Sequence, residues 1–175
     1  MLRAAKLDVR ELIVAPDRVV RARIDSDPPP QGVLIYDFEG DLFFAAAPDL
    51  ERYLQLAADE AKDHDIRFLV LRLKRVRNPD AVALEILDRF ITEARESGLT
   101  IILAGLRPPL MSALARVGIT KRHAPDLIFP EEEKDFSATL NAVRYAYGLA
   151  ARRARGDEAG EWPNLNNTQL AYYLI

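Results

Sequence analysis

Short apolar runs that alternate with amphipathic stretches constrain the fold of this chain most. The segments "RFLVLRL" (67–73) and "LTIILAG" (99–105) are nearly unbroken apolar runs, which are typical of central strands covered on both faces. The stretch between them, "DAVALEILDRFITEARESG", has apolar residues at helical spacing, namely Ala83, Leu87, Phe90, Ile91 and Ala94. A strand, a helix and a second strand in this order predict parallel strands joined by a crossover helix.

The same alternation extends in both directions from this unit. "GVLIYDF" (32–38) predicts a strand, "EGD" a tight turn, and "LFFA" (42–45) a second short strand that closes an edge hairpin. Pro48 is predicted to begin a helix, because proline is favoured at the first helical position. Further on, "RPPLMSALARVG" predicts a helix and "LIF" (127–129) a last short strand. We therefore expect an α/β fold with a mostly parallel central sheet, an antiparallel edge hairpin and about four flanking helices.

The chain divides into three predicted regions. Residues 1–31 form a lead-in that could contribute an edge strand through "RVVRARI", residues 32–155 form the α/β domain, and residues 156–175 form a C-terminal tail. The domain is predicted to end in a long helix that begins within "EEEKDF" and finishes in "AARRAR". Acidic residues first and arginines last are the order that the helix macrodipole favours.

The composition excludes several classes of function. A net charge of −3 and a pI of about 5.5 disfavour a general nucleic-acid binder, so no nucleic-acid partner is expected. The sequence contains no cysteine, which excludes disulfides, thiolate metal ligands and a cysteine nucleophile. No apolar stretch approaches the roughly 20 residues that span a bilayer, so the chain as given is predicted to be soluble.

Residues for catalysis are not found together in the sequence. There is no glycine-rich phosphate loop, no pair of histidines at metal-ligand spacing, and no serine in a nucleophile-elbow context. His64 and His123 stand alone in polar stretches, which predicts ordinary surface histidines. We therefore expect no enzyme activity, no metal and no cofactor.

The strongest candidate for a binding site is the joint "KRVRNPDAVALEIL" (74–87), where a strand gives way to a helix. Ligands of open α/β sheets bind at the carboxyl ends of strands, and helix N-termini favour anions. The predicted site comprises the residues Arg75, Arg77, Asn78, Asp80 and Ala81.

Two other interpretations of this joint stay open. The basic residues could form a solvated edge that pairs with neighbouring acids. Asn78 could simply cap the helix, with Pro79 at its first position and Asp80 complementing the dipole in its first turn.

The order of these features resembles the STAS domain family. The resemblance covers roughly residues 12–149 and rests on "YDFEGD" followed by "LFFA", on the "NPDA" joint, and on "LAGLRP" with Leu114 and Gly118 downstream. The "LFFA" feature is similar to the STAS domains at the C-terminus of SulP-type (sulfate permease) anion transporters. No single motif decides the matter, but their order and spacing together are fairly specific.

The resemblance implies a non-enzymatic regulatory or interaction domain on the cytoplasmic face of a membrane. Its implied partners are the transporter's own transmembrane domain, a second copy in a homodimer, and a nucleotide or anion as a further ligand. The transported anion would be sulfate, bicarbonate or a dicarboxylate. The lead-in, with Arg3, Lys6 and Arg10, would follow the last membrane span, where positive charge faces the cytoplasm. The alternative is a stand-alone STAS protein of the anti-sigma-factor-antagonist type that binds a signalling partner.

Two positions depart from the patterns that the resemblance implies. In the antagonist group a phosphorylatable serine follows the aspartate of the joint, but here Ala81 follows Asp80. Ala81 has no hydroxyl and cannot accept phosphate, so the phosphorylation switch is predicted to be absent at this position. Ala46 stands where SulP members commonly have asparagine, which predicts a weaker start for the helix that follows, by about 1 kcal/mol.

The tail is too apolar at its end for a free linker. We expect its apolar side chains to form an interface with this domain, with a second copy or with the membrane part, and we favour the first two: Trp162, Leu170, Tyr172 and Tyr173.

Overall fold

The computed structural model describes residues 6–15 and 19–156, which form three layers around one sheet. The strands, in chain order, are β1 Asp8–Val14, β2 Val20–Ala22, β3 Val33–Asp41, β4 Phe68–Arg77, β5 Thr100–Leu106 and β6 Ile128–Pro130. The α-helices are α1 Ala47–Asp63, α2 Ala81–Glu96, α3 Pro108–Arg116, α4 Ile119–Arg122 and α5 Ser137–Ala154. Two short 3₁₀ helices, Phe44–Ala46 and Pro125–Leu127, complete the described elements.

The sheet confirms the predicted fold class. Its strand order is β2-β1-β3-β4-β5-β6, with β3 to β6 parallel and β1 antiparallel to both of its neighbours. Helices α1 to α4 cover one face with an apolar core that includes Leu69, Leu71 and Leu103. Helix α5 covers the other face, where Ala142 and Val143 pack among alternate residues of the same strands. Because both faces are covered, the central strands read as continuous apolar runs.

The antiparallel edge is formed by different residues from those predicted. Residues 39–41 continue β3 instead of turning, and Phe44–Ala46 is a 3₁₀ helix, so the predicted "LFFA" strand is wrong. The cause is β4, which is ten residues long and supplies a partner for β3 as far as Arg77. The edge hairpin consists of β1 and β2, both within the predicted lead-in. The division of the chain at residue 31 stays a prediction.

Gly40 fixes the place where the lead-in enters the sheet. It adopts a φ of +137°, and a Cβ atom built on it would lie 2.5 Å from the carbonyl oxygen of Lys6. Only glycine allows the two backbones to pass this closely. Residue 6 therefore lies at the same edge of the sheet as the carboxyl ends of β3 and β4.

A cluster of polar side chains ties the lead-in to α1. Arg23 lies 3.0 Å from Glu11 of β1 and 3.5 Å from Glu60 of α1, and the Tyr36 hydroxyl donates a hydrogen bond to Glu60. Burial raises the pKa of Glu11, and the nearby Glu60 carboxylate adds to this, while Arg23 opposes it. The hairpin is thus held to the helical layer as well as to β3.

A buried ion pair lies inside the layer between the sheet and α5. Arg72 of β4 is 1% exposed and lies 3.0 Å from Asp37 of β3, which is 4% exposed. Its other terminal nitrogen lies 3.0 Å from Asp135, and the guanidinium stacks 4.3 Å from the ring centre of Phe136. Lys74 also lies 2.8 Å from Asp135, and its hydrogen bond holds the pKa of that carboxyl below its usual value.

This cluster explains why α5 begins later than predicted. The helix begins at Ser137, and Phe136 before it has a left-handed φ of +61°. The acidic run therefore lies outside the helix, where it contacts cations of β4 and side chains of the first turn. The prediction that the acids occupy the start of the helix is wrong, because ion pairs with Arg72 and Lys74 of β4 hold acids of this segment outside the helix.

Replacement of Arg72 by methionine should destabilise the fold strongly, since Asp37 would keep a buried carboxylate without its partner. We expect the free energy of unfolding in urea to fall by about 3–5 kcal/mol. The double variant Arg72→Met/Asp37→Leu should recover most of the loss, because it removes both charges. Arg75→Met is the matched control on the same strand, with a side chain that is 41% exposed. A loss in Arg72→Met no larger than in this control would contradict the role of the buried pair.

Candidate functional site

The predicted site residues lie together where β4 ends and α2 begins. Strand β4 ends at Arg77, and Asn78 follows in a left-handed conformation with a φ of +49°. Asp80 is the N-cap of α2 and Ala81 its first residue. The prediction that Asn78 caps the helix with Asp80 in its first turn is therefore wrong, since Asp80 is the cap.

The carboxylate of Asp80 holds two chain segments together. One oxygen accepts a hydrogen bond from the amide of Ala83, at 2.9 Å, and so caps α2. The other accepts from the amide of Phe44, at 2.7 Å, where the 3₁₀ helix before α1 begins. The Asp80 amide also donates to the carbonyl of Leu42, at 3.0 Å. Asp80 thus couples the start of one helix to the segment that leads into the other.

Sequence reasoning placed Asp80 at the joint but did not predict its hydrogen bond to the amide of Phe44. Phe44 lies 36 positions away, and nothing in the local pattern indicates that its amide would meet this carboxylate. The link depends on the parallel pairing of β3 and β4 as far as Asp41 and Arg77. This pairing brings the segments that follow the two strands side by side.

The two arginines of the joint are paired with acids of β3. Arg75 lies 3.1 Å from Glu39, and Arg77 lies 3.4 Å from Asp41. The side-chain amide of Asn78 donates to Asp41 at 3.0 Å. These contacts agree with a basic edge that pairs with neighbouring acids, and the pairs are exposed enough to contribute little stability.

A register shift decides which side chains of β4 enter the core. Arg72 is opposite Asp37 and Arg75 is opposite Glu39, so β4 has one extra residue at this point. After such a bulge the alternation changes phase. Val76 therefore continues the buried apolar row, while Arg75 and Arg77 are exposed.

An exposed apolar patch borders the joint. Phe44 is 66% exposed and Val82 is 46% exposed, and Ala45 and Ala81 beside them are also exposed. We call these four residues, with the pairs of Arg75 and Arg77 at their border, the joint surface. An exposed apolar patch with charged residues at its border is typical of a contact surface.

The prediction that His123 is a surface histidine is wrong. The residue is 5% exposed instead of lying on the surface, and its Nε2 lies 2.8 Å from a carboxylate oxygen of Asp88 on α2. Burial raises the pKa of Asp88, but hydrogen bonds from Arg122 and His123 outweigh this and lower it. This group joins α2 to α4, away from the joint surface.

The predicted tail interface lies outside the described residues. This applies to Trp162, Leu170, Tyr172 and Tyr173. Among the described residues, no helix is both long enough and apolar enough to cross a bilayer.

Comparison with known protein families identifies the domain. The family model of the STAS domain matches residues 28–134, which is more than half of the chain. The chain belongs to the STAS domain family. A STAS domain is a regulatory or interaction module, and this fits a site built from a helix cap and an apolar patch.

Solved structures share the STAS fold with this chain. A sulfate transporter family protein from Wolinella succinogenes is 25% identical, with a TM-score of 0.56, and the match covers 74% of this chain and 96% of that one. The murine anion transporter solute carrier 26 family member A9 is 16% identical, with a TM-score of 0.64, over 82% of this chain and 23% of that chain. At this identity the second match shows the fold alone.

An anti-sigma factor antagonist from Mycobacterium paratuberculosis is 19% identical, with a TM-score of 0.49, over 67% of this chain and 88% of that chain. A likeness at this score carries no argument about function. No curated protein sequence matches the chain.

Replacement of Asp80 by alanine in this STAS domain should remove the hydrogen bonds to the amides of Ala83 and Phe44 together. We expect the free energy of unfolding to fall by about 1–2 kcal/mol. Hydrogen exchange at both amides should accelerate, which NMR would detect. Asp80→Asn is the matched control and should lose less, because its amide oxygen can still accept one bond. Faster exchange at Ala83 but not at Phe44 would contradict the coupling of the two segments.

Proposed function

We propose that this chain is the cytosolic STAS domain of a SulP-type secondary anion transporter, and that it acts as a non-enzymatic interaction domain affecting assembly or transport. The observation that carries the proposal is the likeness to the Wolinella succinogenes sulfate transporter family protein, which extends over 96% of that chain at 25% identity. The transported anion would be sulfate, bicarbonate or a dicarboxylate.

The chemistry of the joint supports this proposal over the stand-alone antagonist. Ala81 is exposed at the first position of α2, yet it has no oxygen to phosphorylate. The Asp80 carboxylate beside it already accepts hydrogen bonds from two backbone amides. A partner that distinguishes the phosphorylated from the unphosphorylated state at this position could not do so here, because Ala81 cannot be phosphorylated.

The joint surface is the proposed contact with the transmembrane domain. The backbone of Lys6 passes against Gly40 at the end of β3, so the lead-in enters at the edge that carries Phe44 and Val82. A membrane domain joined to the lead-in would therefore be close to these apolar side chains. Burying them against a partner would contribute about 25 cal/mol for each Å² of apolar surface removed from water.

A nucleotide or an anion at the joint, and a homodimer in the full-length protein, belong to the same proposal. An anion would compete with Glu39 and Asp41 for Arg75 and Arg77. Titration with sulfate or a nucleotide should then shift the backbone amide signals of residues 78–83 in a saturable way. The absence of such shifts at millimolar ligand would exclude this ligand site without affecting the proposed contact with the membrane domain.

The direct test is transport by the full-length protein after Phe44→Glu. A carboxylate placed in an apolar contact keeps its charge out of water without a partner, so we expect anion uptake into liposomes to fall several-fold. Leu56→Glu is the matched control, because Leu56 is 49% exposed on α1 and lies outside the joint surface. In the isolated chain both variants should stay within about 0.5 kcal/mol of the original stability.

Two results would count against the proposal. Equal uptake by the Phe44→Glu and Leu56→Glu proteins would exclude the joint surface as the contact. A natural reading frame without several apolar spans of about 20 residues before residue 1 would exclude the transporter, and would favour the stand-alone protein that binds a signalling partner.

A further inference from the structure

A cleft of about 420 Å³ lies between the lead-in and α5, on the opposite side of the sheet from α1 and α2. Leu12 and Val14 of β1, Val33 of β3, and Val143 and Tyr147 of α5 line it. Three consecutive prolines, residues 28–30, form one of its walls. Its volume and mainly apolar lining are typical of a site that holds a few large side chains.

The charged pair of the cleft and its tyrosine hydroxyl are already hydrogen-bonded. Arg21 makes two hydrogen bonds of 2.7 Å to the carboxylate of Asp27, and the Tyr147 hydroxyl donates to the carbonyl of Gln31 at 3.1 Å. The hydrogen bond from Arg21 lowers the pKa of Asp27 to about 2, so the pair is fully charged at neutral pH. An occupant therefore needs no charge of its own, and an uncharged apolar segment suits the cleft best.

Such a segment follows α5 in the same chain. Residues 162–175, "WPNLNNTQLAYYLI", contain aromatic and aliphatic side chains together with amides and a threonine, but no charged side chain. Burial of its side chains would cost no charge desolvation. The charged residues of the tail, Asp157, Glu158 and Glu161, all come before it and can stay in water.

The end of α5 lies at the correct edge for this contact. Arg153 packs over the ring of Phe68 at the start of β4, and Phe68 pairs with Val33, which lines the cleft. Gly156 lies about 14 Å along the axis of α5 beyond Tyr147. The residues from Gly156 to Trp162 span up to about 20 Å when extended, so the segment can turn back and reach the cleft.

We propose that residues 162–175 bind in the cleft between the lead-in and α5 of their own chain. The aromatic side chains of the segment fill the apolar space beside the prolines. This contact is independent of the joint surface and of any membrane partner. The test must distinguish this binding within one chain from two alternatives. In the first, the segment binds a second copy of the chain, and in the second, the membrane domain occupies the cleft.

Trp162 is the only tryptophan in the chain, and the chain has no cysteine, so a direct measurement is available. A nitroxide label on Gln31→Cys, at the exposed rim of the cleft, should quench Trp162 fluorescence on contact. The same label on Gln55→Cys is the matched control, since Gln55 is exposed on α1 across the sheet. We expect a marked loss of emission with the first label only. Equal emission from the two labelled proteins would overturn the proposal.

The concentration dependence of the quenching shows whether the segment binds its own chain or a second copy. Quenching that is unchanged on dilution, with the mass of a single chain, supports binding within one chain. Quenching that disappears on dilution together with a dimer would overturn the proposal in favour of exchange between two copies.

A charge placed in the cleft provides the second test. Val14→Glu should shift the Trp162 emission to longer wavelength and increase its quenching by acrylamide, because the segment would leave the cleft. Leu56→Glu is the matched control on the other side of the sheet, outside the joint surface. Trp162 emission typical of full solvent exposure in the unsubstituted chain would overturn the proposal, whatever the behaviour of Val14→Glu. An unchanged emission in a folded Val14→Glu protein would do so as well.

Discussion

Arg72 is the side chain on which the arrangement of this STAS domain depends. It occupies a position on β4 where the strand is covered on both faces and an apolar residue is expected, and it is almost completely buried. A buried guanidinium is stable only when carboxylates surround it, and Asp37 and Asp135 meet this condition from β3 and from the segment before α5. One cation thereby fixes the pairing of two central strands and the point at which α5 begins to cover the sheet.

The joint is built on this fixed pairing. Because β3 and β4 remain paired to their ends, the segments that follow them leave the sheet side by side. Asp80 can therefore accept hydrogen bonds from the amides of Phe44 and Ala83. The same edge receives the lead-in, where Gly40 lets the backbone of residue 6 pass. A helix cap, an entering backbone segment and an exposed apolar patch at one edge suit a contact surface.

The sequence predicts the layers of this fold but not its long-range contacts. Apolar runs and helical spacing are local, so the central strands, the crossover helices and the position of the joint could be found from them. The role of residues 39–41 depends on how far β4 extends, the start of α5 depends on Arg72 and Lys74, and the burial of His123 depends on Asp88. Each of these is a contact between distant positions. Arg72 does leave a signal, because an arginine inside an apolar run requires a buried acid somewhere in the fold.

The measurement that tests the central claim most directly is hydrogen exchange of this chain alone compared with the proposed full-length transporter in a membrane mimic. If the joint surface contacts the transmembrane domain, amides of residues 43–46 and 81–85 should exchange more slowly in the full-length protein, while the exposed face of α1 around Leu56 should not change. Equal exchange at the joint in both proteins, with slower exchange on another face, would contradict the account and would assign the contact to that other face.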